Sequence, residues 1–183
     1  MKYRVVTAAA LFAGAANAGG IFIEVEDNNS IATSNFIGAF NSPGGSMAVD
    51  AVLGLDDVDW FGFSVSDTAT LSFFASFSNG AGADGVMQVV DSTGDVLAFD
   101  DDSGVGNLPA LQIENLAAGT YYIGFSGFGD ADFGSIASDE LLDGIGHNEN
   151  FGYKLSVGFT IIPAPSAMAL LGMGGLVATR RRR

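Results

Sequence analysis

Apolar and polar residues alternate with a period of two through the middle of the chain. The alternation is clearest at Phe61–Val65, Leu71–Phe77, Tyr121–Phe125 and Tyr153–Phe159. Successive side chains of a β-strand point to opposite faces of a sheet, so this period predicts strands with one face in a core and the other in water. Further short apolar runs, each long enough for one strand, lie at Ile31–Phe36, Met47–Val52, Val86–Val90, Val96–Phe99 and Leu111–Leu116.

Turn-forming residues separate the apolar runs. Asn79-Gly80, Asp84-Gly85, Ser103-Gly104 and Ala118-Gly119 are pairs of this kind. No stretch of the body has the 3.6-residue period of an amphipathic helix. The pattern therefore predicts an all-β fold, an antiparallel jelly-roll-like β-sandwich of eight or nine strands. The Gly- and Asp-rich stretch 127–150 is predicted to be a long loop before the last strand.

The N-terminal residues follow a different pattern. Met1 to Arg4 are basic at two of four positions, Val5 to Ala16 are apolar, and Ala16-Asn17-Ala18 has small residues at its first and last positions. A basic start, a short apolar run and a small-x-small site define a secretory signal peptide. Residues 1–18 are therefore predicted to be a signal peptide, used by the secretion machinery and cut by signal peptidase after Ala18.

The C-terminal residues form a second predicted targeting signal. Pro163-Ala164-Pro165 precedes an apolar run over residues 167–178, and the sequence ends on Arg180, Arg181, Arg182 and Arg183. The run is shorter than the roughly 20 apolar residues that cross a bilayer core. We expect a short hydrophobic helix that engages the membrane before processing, with the arginines at the anionic cytoplasmic face. A plain membrane anchor is the alternative.

This order of proline hinge, apolar run and arginine cluster resembles the PEP-CTERM sorting signal of Gram-negative bacteria. Ala164 stands where that motif usually has glutamate. The resemblance implies an exosortase-type processing enzyme as a partner, transit through the inner membrane, and delivery to the cell surface or an extracellular exopolysaccharide matrix. The predicted organisation is a signal peptide at 1–18, a β-sandwich at 19–162 and a sorting signal at 163–183.

Charge is distributed unevenly along the chain. The 183 residues include 21 acidic and seven basic ones, which gives a formal net charge of −14. All the acidic residues lie between the two terminal segments, where Lys154 is the only cation, so that body carries −20. A surface of this charge repels nucleic acid and anionic lipid and attracts divalent cations. There is no cysteine, so disulfides do not stabilise the body.

Four segments of the body carry a second resemblance. Glu24–Ser34, Asp57–Phe63, Val89–Asp102 and Leu116–Ile123 are similar, in the same order, to motifs of the bacterial pre-peptidase C-terminal domain. The resemblance extends over about Glu24 to Phe125. It implies a small jelly-roll-like β-sandwich of the kind appended to secreted enzymes, with a Ca²⁺ site in some members.

Six residues are the candidate Ca²⁺ ligands: Glu24, Glu26, Asn28, Asn29, Asp57 and Asp59. Calcium binds six to eight oxygen atoms from carboxylates, amides and backbone carbonyls, and these residues supply the first two kinds. Asp56 is an alternative to its neighbour Asp57. The competing interpretation is that all are acids of turns and strand edges that face water. Asp100-Asp101-Asp102 is a second candidate, although consecutive strand residues point to opposite faces.

Residues for catalysis are sparse. His147 is the only histidine, and no Gly-x-Ser-x-Gly motif is present to provide a nucleophile. His147 is expected to be solvated in the long loop, and the protein is predicted not to be an enzyme. Outward-facing Trp60, Tyr121, Tyr122 and Tyr153 would form a platform for stacking sugars. Trp60 is one residue out of phase with Phe61 and Phe63, so it is predicted to lie on the opposite face or beneath a loop.

The sequence thus predicts an exported, non-catalytic protein of the cell surface or extracellular matrix, associated with exopolysaccharide. The first alternative is a calcium-stabilised carbohydrate-binding module. The second is a secreted hydrolase, which the sequence favours least because no catalytic domain accompanies the sandwich. Glycan binding with and without a chelator separates the first two.

Overall fold

The computed structural model describes residues 20–41, 43–77, 82–130 and 140–162. They form ten β-strands and one short 3₁₀ helix, Ile31–Thr33. The strands are β1 Gly20–Ile23, β2 Asn35–Phe40, β3 Gly44–Leu53, β4 Val58–Val65, β5 Ala69–Phe77, β6 Gly85–Asp91, β7 Val96–Asp100, β8 Ala110–Leu116, β9 Gly119–Gly127 and β10 Phe151–Ile161.

The strands form two five-stranded sheets. The first sheet has the order β1-β3-β10-β5-β8 and the second the order β2-β4-β9-β6-β7. Pairing is antiparallel except between β1 and β3 and between β2 and β4, which run parallel. The all-β prediction is confirmed, whereas purely antiparallel pairing is wrong. Alternation of residues identifies the buried face of a strand but carries no information about the direction of its neighbour.

Two details of the strand prediction are also corrected. Strand β1 was not predicted, because Gly20–Ile23 is short and its side chains are mostly exposed. The run Ile31–Phe36 begins as the 3₁₀ helix, and the strand there is Asn35–Phe40. The remaining runs coincide with strands. In the described parts of 127–150 the chain has no strand beyond the end of β9, as the loop prediction requires.

Residues from both sheets form the main apolar core. Phe61 and Phe63 of β4 point into it and are fully buried, as are Leu71 and Phe73 of β5. The Phe125 ring, from the second sheet, stacks on the Tyr153 ring, from the first, at 4.0 Å between centroids. Burying side chains of this size supplies most of the favourable free energy of such a sandwich.

A smaller apolar cluster lies on the other face of the second sheet. It consists of Val58, Trp60, Val86, Val90 and Leu142. Trp60 therefore points away from Phe61 and Phe63, as the sequence predicts. Its ring covers Gly124 of β9, where an added Cβ atom would lie 2.8 Å from the ring. A glycine is needed at that position because any side chain would displace the indole.

Residues 140–147, which we call the strap, cover this second cluster. The side chain of Gln88 donates to the Glu140 carbonyl oxygen over 2.8 Å and accepts from the Leu142 N–H over 3.3 Å. The carboxylate of Asp130 accepts from the N–H groups of Asp143 and Gly144. These bonds hold an irregular segment against the outer face of a sheet.

The two predicted targeting signals, residues 1–18 and 163–183, lie outside the described residues. Ala18, Pro163, Ala164, Pro165 and the four arginines therefore have no structural account. Within the ranges that are described, no helix is long and apolar enough to cross a membrane.

Candidate cation-binding site

Three carboxylates meet between the ends of β1 and β4. Glu24 directly follows β1, Glu26 comes two residues later, and Asp59 is the second residue of β4. One carboxylate oxygen of each lies within 4.8 Å of the other two. We call these three residues the acidic cluster. Because β1 and β4 belong to different sheets, the cluster exists only where the two sheets come together.

Backbone groups and Asn28 fix the orientation of Glu24. Its Oε2 atom accepts from the Val52 N–H over 2.9 Å, and its Oε1 atom accepts from the Asn28 side-chain amide over 3.0 Å. The Asn28 side chain is fully buried, and the backbone carbonyl oxygen of Asn28 accepts from the Trp60 N–H over 3.0 Å. The Oδ1 atom of Asn28 has no hydrogen-bond partner.

Asp59 occupies a core-facing position of β4, on the same face as Phe61. Its Oδ2 atom accepts from the Tyr153 hydroxyl over 2.8 Å, and its Oδ1 atom is buried without a partner. Burial, followed by the charge of Glu24, raises the pKa of Asp59 from 3.8 to about 10. Burial and the charges of Glu24 and Asp57 also raise the pKa of Glu26. Without a bound cation, burial and the mutual repulsion of the negative charges therefore disfavour ionisation of these carboxyl groups.

The acidic cluster has the donor set that Ca²⁺ prefers. Buried polar atoms are normally hydrogen-bonded, and Asn28 Oδ1 and Asp59 Oδ1 have no such partner beside the three carboxylates, so a cation there would satisfy both oxygens. A divalent cation would bind the carboxylates of Glu24, Glu26 and Asp59 and the amide oxygen of Asn28, with water completing the six to eight oxygens. It would also offset the charge repulsion that, after burial, raises the pKa values of Asp59 and Glu26.

The structure brings four of the six predicted ligands together and leaves two apart. Asp57 is close enough to affect the pKa of Glu26, but its Oδ2 atom accepts from the Gly54 N–H over 2.9 Å. Asn29 is exposed and faces away, into a groove beside Trp60. Asp56, the alternative, lies in an exposed turn with φ of 50°.

In the second candidate Ca²⁺ site, Asp100-Asp101-Asp102, the side chain of Asp100 bonds to nearby backbone groups. The Oδ2 atom of Asp100 accepts from the Ser103 N–H over 3.1 Å and from the Ala110 N–H over 2.8 Å. These bonds join the end of β7 to the start of β8. The carboxylate of Asp100 thus acts as a hydrogen-bond acceptor for backbone groups, a role that does not require a metal.

His147 is not solvated, and that expectation is wrong. Its side chain is 2% exposed. The Nδ1 atom accepts from the Glu149 N–H over 3.2 Å, and the Nε2 atom lies 2.8 Å from the Asp57 carbonyl oxygen. The Nε2 atom also lies 3.1 Å from the Asp57 backbone nitrogen, so it bonds either the carbonyl or the N–H of Asp57 according to the position of the ring proton. The imidazole therefore attaches the strap to the Asp57 turn.

The hypothesis of an outward-facing aromatic platform for sugars is also wrong. Trp60 is 1% exposed, and Tyr121 and Tyr153 are buried in the main core. The interpretation that Trp60 packs beneath a loop is confirmed, since Leu142 of the strap covers it. Tyr122 is the only member of the proposed platform that is not buried.

Sequence reasoning missed two residues that shape this region. Tyr153 was considered for an outward-facing platform, although its alternation with Leu155 and Val157 already places it on the core face, where its hydroxyl reaches Asp59. Gln88 stands between Val86 and Val90 on the strap-covered face of β6. A polar residue between valines on one face was the available signal that a polar segment covers that face.

Residues 57–127 match the family model of the bacterial pre-peptidase C-terminal domain. This confirms the corresponding part of the resemblance in the body; the match begins after Glu24, Glu26 and Asn28. A comparison with curated proteins gives no match.

Among solved structures, PliG of Aeromonas hydrophila, a periplasmic inhibitor of g-type lysozyme, is similar with a TM-score of 0.44 and 12% identity. The alignment covers 78% of this chain and 100% of that one. The pre-peptidase C-terminal domain of collagenase from Bacillus anthracis has a TM-score of 0.41 and 18% identity, over 68% of this chain and 93% of that one. Similarity at these values transfers no function.

Proposed function

We propose that this chain is an exported, non-catalytic module of the bacterial cell surface or extracellular matrix, stabilised by Ca²⁺ in the acidic cluster and associated with exopolysaccharide. The observation that carries the calcium part is the pair of buried, unpartnered oxygens, Asn28 Oδ1 and Asp59 Oδ1, next to three carboxylates. The sequence carries the export part, through the signal peptide at 1–18 and the PEP-CTERM-like signal at 163–183.

The non-catalytic assignment is supported by the state of His147. Both of its ring nitrogens are hydrogen-bonded to backbone groups of Asp57 and Glu149. A general base needs a nitrogen that faces a substrate or a nucleophile. Here the imidazole positions two loops relative to each other, which is a structural role.

In this function the cation links the chain that leaves β1 to the start of β4. The ion would supply positive charge between groups that otherwise repel. The protein's own residues do the remaining work: Val52 and Asn28 orient Glu24, and Tyr153 orients Asp59. Calcium binding in the extracellular medium would therefore hold together the edges of the two sheets.

The calcium part is tested by thermal unfolding of the whole chain in EDTA, in Ca²⁺ and in Mg²⁺. A ligand that binds only the folded state stabilises it by about 2.7 kcal/mol at one hundred times its Kd. We expect the melting temperature to rise with millimolar Ca²⁺ and to rise less with Mg²⁺, because Mg²⁺ requires a smaller octahedral site. An unchanged melting curve in Ca²⁺ would show that the acidic cluster does not bind the ion.

The sorting part is tested separately, by intact-mass spectrometry of the protein recovered from the cell surface. We expect a mass that lacks residues 1–18 and also lacks the apolar run with Arg180–Arg183. A variant in which Pro163 and Pro165 are replaced by alanine should stay in the membrane fraction. Recovery of surface protein with its four terminal arginines would contradict sorting by cleavage.

A further inference from the structure

A groove lies on the outer face of the second sheet, the face of β4 opposite to the one that carries Asp59. Its volume is about 380 Å³. One wall is residues 29–32, which include the start of the 3₁₀ helix, and the other is residues 141–143 of the strap. Trp60 lies at the bottom, where the two walls meet. The volume is at the small end of the range for small-molecule sites, so one or two sugar rings would fill it.

The lining combines apolar and hydrogen-bonding groups. Ile31, which is half-buried, and Leu141, which is 39% exposed, supply apolar surface on opposite walls, above the buried Leu142. Asn29 and Asp143 supply amide and carboxylate groups on opposite walls. A pyranose ring presents a C–H face and a rim of hydroxyls, and this lining offers a partner to each.

The charge of the groove selects among sugars. The only charged residue in the lining is Asp143, and the body around it carries one cation against 21 acidic residues. A uronic acid or a phosphate would meet negative charge without a compensating cation. A neutral hydroxyl group can instead donate to the carboxylate of Asp143, whose Oδ1 atom already accepts from the Ile145 N–H over 2.9 Å.

The acidic cluster and the groove share the same two segments. Asp59 belongs to the cluster, and the next residue, Trp60, is the floor of the groove. Asn28 adjoins the cluster, and Asn29 begins the groove wall. The Trp60 N–H donates to the backbone carbonyl oxygen of Asn28 over 3.0 Å, and this bond joins β4 to the segment that follows β1. A cation in the cluster would therefore restrain the segment that forms one wall of the groove.

We propose that this groove binds a neutral sugar unit of a polysaccharide, and that binding strengthens when Ca²⁺ occupies the acidic cluster. The inference rests on the proposed function, since it names the chemistry by which the module would associate with exopolysaccharide. It replaces the exposed aromatic platform with a site between the 3₁₀ helix and the strap.

The test is isothermal titration of the whole chain, in a detergent without a sugar headgroup, with glucose, galactose, mannose, N-acetylglucosamine and glucuronate. Trp60 is the only tryptophan, so its emission reports independently on the groove. We expect saturable binding of at least one neutral sugar, with at least tenfold weaker binding of glucuronate. In EDTA the affinity for the neutral sugar should fall at least threefold.

Ala32→Phe is the decisive variant, because Ala32 is an exposed residue of the groove wall and a phenyl ring there fills the groove. Its control is Ala118→Phe, at an exposed position in the turn between β8 and β9. Loss of sugar binding in the first variant alone, with the calcium-dependent melting shift intact in both, supports the inference. Absence of binding in the unmodified chain, or equal binding in both variants, overturns it.

A pull-down with the exopolysaccharide of the producing cells separates this inference from the proposed function. If Ala32→Phe still associates with the polymer, the groove is not the contact and the proposed function stands. If the unmodified chain fails to associate under any condition, the exopolysaccharide part of the proposed function fails.

Discussion

The hydroxyl of Tyr153 donates to the Oδ2 atom of Asp59 over 2.8 Å, across the two sheets and a sequence separation of 94 residues. Tyr153 belongs to β10 in the first sheet and Asp59 to β4 in the second. The bond is fully buried, and it leaves only Oδ1 of Asp59 without a partner. The bond to Tyr153 thus leaves the Oδ1 atom of Asp59 as the oxygen available to a ligand in the acidic cluster.

Replacing Tyr153 by phenylalanine removes that donor and keeps the ring. The buried carboxyl group of Asp59 then loses its partner, which costs about 1–3 kcal/mol in the free energy of unfolding. Chemical denaturation in EDTA measures this loss. Tyr122→Phe, on the outer face of the second sheet, is the matched control and should change the free energy of unfolding by less than about 0.5 kcal/mol. Equal effects would mean that the Asp59 contact contributes nothing specific.

Asp59→Asn should separate the stability of the fold from its response to calcium. The pKa of Asp59 is raised to about 10 in the folded state, so its contribution is fully present below 3.8 and is lost as the pH rises toward 10. Asparagine stays neutral, and each pKa unit is worth about 1.4 kcal/mol. In EDTA at pH 7 the variant should therefore gain about 1–4 kcal/mol in free energy of unfolding.

In millimolar Ca²⁺ the same variant should lose the rise in melting temperature shown by the unmodified chain, because one carboxylate ligand is gone. Asp102→Asn, an exposed acid outside the cluster, should keep the full rise. A calcium response in Asp59→Asn as large as that of the control would contradict the assignment of Asp59 as a ligand.

Gly144 and Gly82 provide a matched pair for the docking of the strap. Both have positive φ, 81° and 89°, but a Cβ atom on Gly144 would lie 2.8 Å from the backbone carbon of Asp57, whereas one on Gly82 would have nothing within 4 Å. Alanine at Gly82 should cost about 1–2 kcal/mol, the price of left-handed backbone alone. Alanine at Gly144 should cost at least about 1 kcal/mol more, because backbone must also move.

Limited proteolysis checks the same pair of variants. Gly144→Ala should be cleaved faster within 140–150, since the strap no longer fits against the Asp57 turn. Gly82→Ala should leave cleavage in that segment unchanged. Identical stability and proteolysis in the two variants would show that the strap does not depend on this close approach.

The pH dependence of the β6–β7 turn follows from Asp91. The hydroxyl and the N–H of Thr93, with the N–H groups of Asp95 and Gly94, lower the pKa of Asp91 below its ordinary 3.8. A lowered pKa contributes stability that is present above 3.8 and is lost as the pH falls through the folded value. The stability difference between the unmodified chain and Asp91→Asn should therefore shrink in acid.

Denaturation of both proteins between pH 2 and pH 7 measures this difference, with Asp102→Asn as the control. NMR titration of the Asp91 carboxyl carbon gives the pKa directly. A value at or above 3.8 would contradict the role of the Thr93 hydrogen bonds.

The sequence by itself determined most of the strands and the faces of their side chains, although it missed β1 and began β2 too early. Period-two alternation placed Phe61 and Phe63 in the core and Trp60 on the opposite face, because side-chain direction in a strand depends only on position. It also identified the Glu24–Asn28 segment as a source of oxygen ligands. The sequence is also the sole basis for the signal peptide at 1–18 and the sorting signal at 163–183, so export and sorting stay predictions.

Only the tertiary structure decided how the strands pair. The proximity of Glu24 to Asp59 was expected from the family resemblance, and the structure supplies the geometry of that contact. Alternation does not specify a strand's partner or direction, so the parallel pairing of β1 with β3 was beyond sequence reasoning. The same holds for the burial of His147 by contacts with Asp57, 90 residues away. Such contacts depend on how two sheets and one irregular segment pack, which no local pattern encodes.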